Sequence, residues 1–281
     1  MESIVTYIKR GVYYILRGQP KVYTTAKVVT PLPSSLLSEK RVLITGGSKG
    51  IGYAMAKKFV SEGAKVMITG RNIEQLKEAA DEIGCLYWCM DVSDTENVHK
   101  QFPEEDKRIG GFNCLVNNAG ISLHEKSFFD VSVEQFDSQF SINLKGAYFL
   151  TQCFTEICRM GGVRTNCKVI FLSSQRGSFV DDIPYGLTKA TINSLVQGLA
   201  YDLIEYGIRV YGLAPGVTLT DLIGEETNGN LYYEINRSKR LYLPEEVAEV
   251  AAFLLTDMAN CLSGNILVCD EGRSINSYKK I

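Results

Sequence analysis

Arg41-Val-Leu-Ile-Thr45-Gly46-Gly47-Ser48-Lys49-Gly50-Ile51-Gly52 combines an apolar run, a glycine-rich turn and the start of a helical pattern. Glycines in such a turn allow positive φ and let backbone N–H groups approach a phosphate. The following helix presents its N-terminal donors and its dipole to the same anion. Placed between a strand and a helix, the turn predicts a dinucleotide-binding loop. The residues expected to contact the phosphates are Gly46, Ser48, Lys49, Gly50, Ile51 and Gly52.

Short apolar runs keep alternating with helical patterns after this turn. Further strands are predicted over residues 65–69, 86–90, 113–116, 168–172, 208–213 and 265–268. Helices are predicted over residues 51–62, 72–83, 133–160, 185–206 and 244–256. Strands that alternate with helices favour right-handed crossovers and a parallel sheet covered on both faces. We therefore predict an α/β fold in which residues 39–281 form a doubly wound, parallel, seven-stranded sheet.

Residues 1–38 differ in charge from the rest. They carry five basic residues and one acidic residue, whereas the remaining 25 basic and 31 acidic residues leave a net charge of −6. Apolar side chains recur at helical spacing at Ile4, Ile8, Val12 and Ile15. The pattern predicts a basic amphipathic extension followed by a linker at residues 30–35. The sequence leaves the role of this extension open. It could pack on the protein itself, contact an anionic membrane or a second subunit through residues 1–30, or be disordered.

Composition excludes several classes of function. The 281 residues carry a net charge of −2, which leaves no overall electrostatic footprint for nucleic acid. Eight cysteines without a Cys-x-x-Cys pair, together with two histidines, predict no metal site and favour reduced thiols. No apolar run is long enough to span a bilayer, and no secretory signal is evident. We expect a cytoplasmic protein, with peripheral membrane contact through the extension left open.

The residues after the second strand indicate the dinucleotide. An NAD enzyme places an acidic residue there to accept hydrogen bonds from the adenosine ribose. This chain has Gly70 and then Arg71 instead, and a guanidinium suits a 2′-phosphate. Lys49 could add a second cation. We predict NADP(H), the alternative for Arg71 being a solvated surface charge.

Asp91 and Val92 follow the third strand at the same edge of the predicted sheet. Asp91 could accept a hydrogen bond from the adenine amino group. The alternative is that Asp91 caps the N-terminus of a helix.

Tyr185-Gly-Leu-Thr-Lys189 places a phenol and an ammonium one helical turn apart, on the same face. A nearby ammonium favours the phenolate, so this Tyr could exchange a proton near neutral pH. The spacing alone is weak, because it also occurs at Tyr23/Lys27 and Tyr53/Lys57. Only the third copy follows a serine pair, Ser173-Ser174, within a domain that begins with a phosphate loop. The combination predicts an oxidoreductase acting on ketones or alcohols.

Taken together, these residues resemble the short-chain dehydrogenase/reductase family over residues 41–272. The matching motifs are the loop at residues 45–52, Asn117-Asn118-Ala119-Gly120, Ser141-Ile-Asn143-Leu144, Ser173-Ser174-Gln-Arg-Gly177, Tyr185-x-x-x-Lys189, Pro215-Gly216 and Ser263-Gly264-Asn265. The resemblance implies a Rossmann fold and a small ketone or secondary alcohol as substrate. It also implies a homodimer or homotetramer, formed through helices 133–160 and 185–206.

The resemblance implies a role for each matching residue. Tyr185 would protonate the carbonyl oxygen, and Ser174 would hold that oxygen by a hydrogen bond. Lys189 would bind the nicotinamide ribose and lower the pKa of Tyr185, and Asn143 would anchor a water of a proton relay. Further cofactor contacts are implied for Asn118, Ala119, Gly120, Tyr185, Lys189, Pro215, Gly216, Val217 and Thr218. Asn117 is expected to tie neighbouring strands together.

Some features depart from the family pattern. The segment between Ser174 and Tyr185 is short and holds the charged residues Arg176, Asp181 and Asp182, and Glu271 stands where a Gly is usual. Residues 217–243 are predicted to form a lid beside the substrate. Two alternatives stay open: a dinucleotide-binding sensor or scaffold without turnover, and a 3-oxoacyl-thioester reductase.

Overall fold

The coordinates are a computed structural model, which describes residues 12, 22–25, 35–160, 166–221 and 229–275. The helix predicted near residues 4–15 lies outside this range except for Val12, as does most of the predicted linker. Among the described residues, no helix combines the length and the hydropathy needed to cross a bilayer.

Seven parallel strands form one sheet, which confirms the predicted fold. The strands are β1 (Arg41–Thr45), β2 (Lys65–Gly70), β3 (Leu86–Cys89), β4 (Cys114–Asn117), β5 (Cys167–Leu172), β6 (Ile208–Pro215) and β7 (Ile266–Cys269). Their order across the sheet is β3-β2-β1-β4-β5-β6-β7. The strand order reverses between β1 and β4, and the carboxyl ends beside such a reversal form a ligand-binding crevice.

The α-helices of the described residues cover both faces of the sheet. They are α1 (Gly50–Ser61), α2 (Ile73–Ile83), α3 (Thr95–Ile109), α4 (Val133–Phe140), α5 (Ala147–Met160), α6 (Pro184–Leu203) and α7 (Pro244–Leu255). Helix α3 was not predicted, because Pro103 interrupts a strongly polar segment. Its apolar stripe nevertheless buries Val98, Phe102 and Ile109, so packing decides the helix.

The helix predicted over residues 133–160 is divided. Helices α4 and α5 are joined by a π-helical turn at Ser141–Gly146, which carries Asn143. A Cβ added to Gly146 would lie 2.6 Å from Val92 O, so this turn passes close to the residue that follows β3. π-Helical turns often mark functional sites.

Two hydrophobic layers enclose the sheet because successive residues of a strand point to opposite faces. Val42 and Ile44 belong to one layer and Leu43 to the other, and all three are fully buried. Leu37 joins the first layer, and its N–H donates to Glu62 O at 3.0 Å. This residue therefore packs with the core although it precedes the domain start predicted at residue 39.

Candidate active site and cofactor cleft

The loop between β1 and α1 is shaped by its glycines. Gly46 and Gly50 have φ of 66° and 58°, a left-handed conformation that favours glycine. A Cβ on Gly52 would lie 2.3 Å from Gly46 O. The loop therefore closes on itself only with glycine at residue 52.

The N-terminus of α1 is open to an anion. The Lys49 side chain at the N-cap makes no capping hydrogen bond, and the first turn contains no acidic residue. First-turn N–H groups of a helix lack an intrahelical partner, so they suit a phosphate. Ile51 is half-buried against the core, and Ser48 Oγ lies 3.6 Å from a Cβ added to Gly70 at the end of β2. The loop fits the pyrophosphate of a dinucleotide.

The residues after β4 lock this loop in place. Asn118 Nδ2 donates to Thr45 O at 2.8 Å and to Gly46 O at 2.9 Å. Thr45 Oγ1 accepts from the N–H groups of Asn118 at 3.0 Å and Ala119 at 2.9 Å. Asn117 donates to Thr151 Oγ1 on α5 instead. The expectation that Asn117 ties the strands is therefore wrong, and Asn118 does so.

Two predicted cofactor residues lie just after β2 and β3. Arg71 is exposed directly after β2. Asp91 lies beside it, because Met90 N donates to Gly70 O at 3.0 Å. Asp91 Oδ1 accepts from the N–H and hydroxyl of Ser93, whereas α3 is capped by Asp94. The alternative that Asp91 caps a helix is thus excluded.

The segment after β6 forms the other wall of the cleft. Gly216 N donates to Cys269 O at 2.9 Å, and Thr218 Oγ1 donates back to Gly216 O at 3.0 Å. A Cβ on Gly216 would lie 2.5 Å from the Tyr242 ring. Val217 O accepts from Tyr242 N at 3.0 Å. The four residues from Pro215 to Thr218 therefore run from the end of β6 along the cleft.

The four predicted catalytic residues converge beside Gly120. A Cβ added to Gly120 would lie 3.3 Å from Asn143 Oδ1 and 3.6 Å from Lys189 Nζ. Lys189 Nζ is 5.6 Å from the centre of the Tyr185 ring, and Ser174 is near enough to the phenol to lower the pKa of Tyr185. Residues from β4, the π-helical turn, β5 and α6 thus meet at one edge of the sheet.

Ser173 points away from this cluster. Its hydroxyl donates to Asn193 Oδ1 at 2.6 Å and contacts Lys189 O at 3.3 Å. The prediction that Ser174, and not Ser173, contacts the reacting oxygen agrees with this geometry.

Both polar atoms of the Asn143 side-chain amide form hydrogen bonds with the backbone of Ile121. Its Oδ1 accepts from Ile121 N at 2.8 Å, and its Nδ2 donates to Ile121 O at 2.9 Å. The amide therefore ties the π-helical turn to the segment that follows β4. Its role in anchoring a relay water stays a prediction.

Comparisons with known proteins point to the same family. A family model described as enoyl-(acyl carrier protein) reductase matches residues 46–274. An NAD-dependent glycerol dehydrogenase of Listeria innocua is 32% identical over 85% of this chain and 95% of that protein. An NADP-dependent (R)-specific alcohol dehydrogenase of Lentilactobacillus kefiri is 32% identical over 84% of this chain and 97% of that protein. Among solved structures, a 3-ketoacyl-(acyl-carrier-protein) reductase from Brucella melitensis, complexed with NADH, is 31% identical in sequence to this chain. The two structures superpose with a TM-score of 0.76, over 84% of this chain and 98% of that chain.

The chain belongs to the short-chain dehydrogenase/reductase family. As a member, it is an oxidoreductase that binds a nicotinamide dinucleotide. The names of the two relatives differ in NAD or NADP dependence, so the family alone does not select the dinucleotide for this dehydrogenase/reductase.

Burial dominates the electrostatics of the catalytic pair in this dehydrogenase/reductase. It raises the pKa of Tyr185, while the hydrogen bond from Ser174 and the charge of Arg176 act to lower it. Burial also lowers the pKa of Lys189 to about 8, and its ammonium donates to Leu172 O at 2.7 Å. Arg176 is therefore a cation that favours the phenolate, and the role of Lys189 in lowering the pKa of Tyr185 stays a prediction.

An ion pair that the sequence analysis did not assign lies next to the phenol. Arg176 Nε and Nη2 both donate to the Asp181 carboxylate at 2.6 Å. Asp181 also accepts from Ile183 N at 3.0 Å, and a Cβ on Gly186 would lie 2.0 Å from its Oδ2. The glycine after Tyr185 thus makes room for the carboxylate that holds Arg176.

The unusual Glu271 keeps the turn that a glycine usually makes in the family. It adopts φ of 50°, and its carboxylate lies 4.0 Å from Arg240 Nη2. The left-handed turn after β7 is therefore retained.

Proposed function

We propose that this protein is an NADP(H)-dependent oxidoreductase that interconverts a ketone and a secondary alcohol, with Tyr185 as general acid and base. The observation that carries the proposal is the convergence of Asn143, Ser174, Tyr185 and Lys189 beside the cofactor cleft.

The chemistry follows from where charge develops. A bound nicotinamide dinucleotide supplies or accepts the hydride. During reduction negative charge grows on the carbonyl oxygen, so the site must aim hydrogen-bond donors at it. The Ser174 hydroxyl donates a hydrogen bond to that oxygen, and Tyr185 donates its proton. Its raised pKa keeps the phenol protonated at neutral pH, which suits this direction. Lys189 would hold the nicotinamide ribose through its ammonium.

The choice of NADP(H) rests on charge at the adenosine end. Arg71 is exposed directly after β2, and β2 ends in Gly70 and not in an acidic residue. Lys49 belongs to the neighbouring phosphate loop. A guanidinium forms strong, charge-assisted bonds with a phosphate monoester. These features support a 2′-phosphate contact.

The proposal includes a homodimer or homotetramer in the cytoplasm. Exposed apolar side chains on α4, α5 and α6 support subunit contact, among them Val133, Phe136, Phe149 and Leu187. The eight cysteines are all free thiols, which agrees with a reducing compartment.

Replacing Tyr185 by Phe tests the proposal. We expect the rate of ketone-dependent NADPH oxidation to fall by about 10²- to 10⁴-fold, the usual contribution of general acid catalysis, with the NADPH Kd nearly unchanged. Tyr201→Phe is the matched control, because Tyr201 lies on the same helix and is 83% exposed. An unchanged rate in Tyr185→Phe would contradict the mechanism.

The same assay separates the alternatives. A wild-type protein that binds NADPH but oxidises it with no ketone in a broad panel would be a sensor or scaffold. Faster turnover of acetoacetyl thioesters than of small ketones would favour a 3-oxoacyl-thioester reductase.

A further inference from the structure

Residues 22–25 lie against the predicted lid, whose described residues are 217–221 and 229–243; we call these the lid segment. Thr24 O accepts a hydrogen bond from Leu231 N at 2.9 Å. Thr24 N donates to Asn230 Oδ1 at 3.0 Å. The two backbone groups of one extension residue therefore both bond to the lid segment.

The neighbours of Thr24 reinforce this contact. Asn230 Nδ2 donates to Val22 O at 3.2 Å, so one amide side chain bridges two residues of the extension. The Tyr23 hydroxyl donates to Gly229 O at 3.2 Å. Three successive residues thus hold one short stretch of the lid segment, through one backbone–backbone bond and three bonds that involve a side chain.

Backbone hydrogen bonds continue inward from this contact. Leu231 O accepts from Leu241 N at 2.7 Å. The next residue, Tyr242, donates its N–H to Val217 O at 3.0 Å and accepts from Leu219 N at 2.8 Å. A connected ladder therefore leads from residue 24 to the segment that follows β6.

The inner end of the ladder forms the wall of the site. The Tyr242 ring lies against Gly216, where an added Cβ would come within 2.5 Å of it. Thr220 lies against the phosphate loop, with its methyl group 3.2 Å from a Cβ added to Gly50. Movement of the lid segment would consequently displace groups beside both the cofactor and the substrate.

Residues 22–25 lie outside the family match, which begins at residue 46, and they precede β1 of the sheet. The lid segment contains only the isolated bridges Thr218–Tyr242 and Tyr232–Arg240, and so little pairing is marginally stable without further contacts. We propose that residues 22–25 are a positioning segment for the substrate pocket: they bond to the lid segment and hold the wall that follows Gly216 in its substrate-binding arrangement. The statement about substrate rests on the proposed function, whereas the pairing itself does not.

Hydrogen exchange of the full-length protein tests the pairing. Thr24→Pro removes the N–H that bonds Asn230, whereas Thr24→Ala keeps both backbone bonds and is the matched control. We expect the amides of Leu231 and Leu241 to exchange at least fivefold faster in Thr24→Pro and at the wild-type rate in Thr24→Ala. Tyr23→Phe removes one side-chain bond, and we expect a smaller change in the same direction.

Kinetics test the consequence for substrate. With ethyl acetoacetate as the ketone probe, we expect Thr24→Pro to raise KM at least threefold, with kcat within twofold of wild type. A purely structural role would instead lower the active fraction and kcat.

Two exchange results would overturn the proposal. One is equal exchange in Thr24→Pro, Thr24→Ala and wild type. The other is faster exchange spread evenly over β1 and β5, since the segment would then support the whole domain and not the lid. If wild-type protein reduces no ketone, the proposed function fails. The exchange data still decide whether residues 22–25 position the lid segment.

Discussion

Lys49 and Asp221 form an ion pair across the mouth of the cofactor cleft, with Lys49 Nζ 2.8 Å from Asp221 Oδ2. Lys49 belongs to the phosphate loop, and Asp221 follows β6 within the lid segment. Both side chains are more than half exposed, so the pair is weak and open to competition by another anion. A 2′-phosphate that binds Lys49 would have to share it with, or take it from, this carboxylate.

Asp221→Asn removes that competing carboxylate. We expect the NADPH Kd to fall by about two- to fivefold, the range of an exposed ion pair, with little change for NADH. Fluorescence titration with both dinucleotides measures the effect. An equal change for NADPH and NADH would argue against competition at Lys49. Asp182→Asn is the matched control, because Asp182 is also exposed.

Arg71→Asp places a carboxylate where the 2′-phosphate is expected. We expect the NADPH Kd to rise by about 10- to 100-fold, the value of a lost charge-assisted hydrogen bond, while the NADH Kd changes little or falls. Arg71→Lys keeps the charge and should lose much less. Parallel losses for the two dinucleotides would refute the contact.

Arg176→Gln tests the origin of the phenol's acidity. Burial raises the pKa of Tyr185 and Arg176 opposes that rise, so removing the guanidinium should raise the pKa further. Alcohol oxidation needs the phenolate, so its rate should rise with pH through the pKa of Tyr185, and this ascending limb should move to higher pH in the variant. The pH profile of propan-2-ol oxidation, with Arg176→Lys as control, measures the shift.

The partner of Arg176 offers a second comparison. Arg176→Gln leaves the Asp181 carboxylate near the phenol, which also disfavours the phenolate. The double variant with Asp181→Asn should therefore return part of the way to the wild-type profile. A profile that is identical in all four proteins would show that Arg176 does not act on Tyr185.

Gly52→Ala and Gly198→Ala are the same substitution in opposite surroundings. A Cβ at Gly52 meets Gly46 O, so we expect a loss of about 1–3 kcal/mol in the free energy of unfolding and weaker dinucleotide binding. A Cβ at Gly198, within α6, has no atom within 4 Å, so we expect a gain of about 0.5–1 kcal/mol. Urea unfolding and NADPH titration measure both; destabilisation by Gly198→Ala would indicate a close contact at that face.

Most of the fold could be predicted from local pattern. The bounds of β1 agree with the prediction at both ends, because a fully buried parallel strand is a continuous apolar run between turn signals. Helix α3 could not be predicted, because Pro103 and the many polar residues of this segment argue against a helix. Its apolar stripe is recognised only once the structure shows which side chains are buried. The π-helical turn at Asn143 was also missed, because sequence periodicity does not reveal one extra residue in a helix.

The candidate site was predictable as a set of residues but not as a set of contacts. Asn118 and Asn117 are neighbours of the same type, and only the fold shows which one bonds the phosphate loop. The pairing of Arg176 with Asp181 likewise depends on Gly186 leaving space for the carboxylate.

The order of apolar runs, glycines and polar motifs along the chain determined by itself the α/β architecture, the family and the candidate catalytic residues. These depend on local backbone preference and on residue chemistry, both of which are written in short stretches of sequence. Only the tertiary structure decided the sign of the pKa shift at Tyr185, the pairing of Lys49 with Asp221 and the docking of residues 22–25 on the lid segment. Burial and contacts between residues up to about two hundred positions apart arise from packing, which no local pattern encodes.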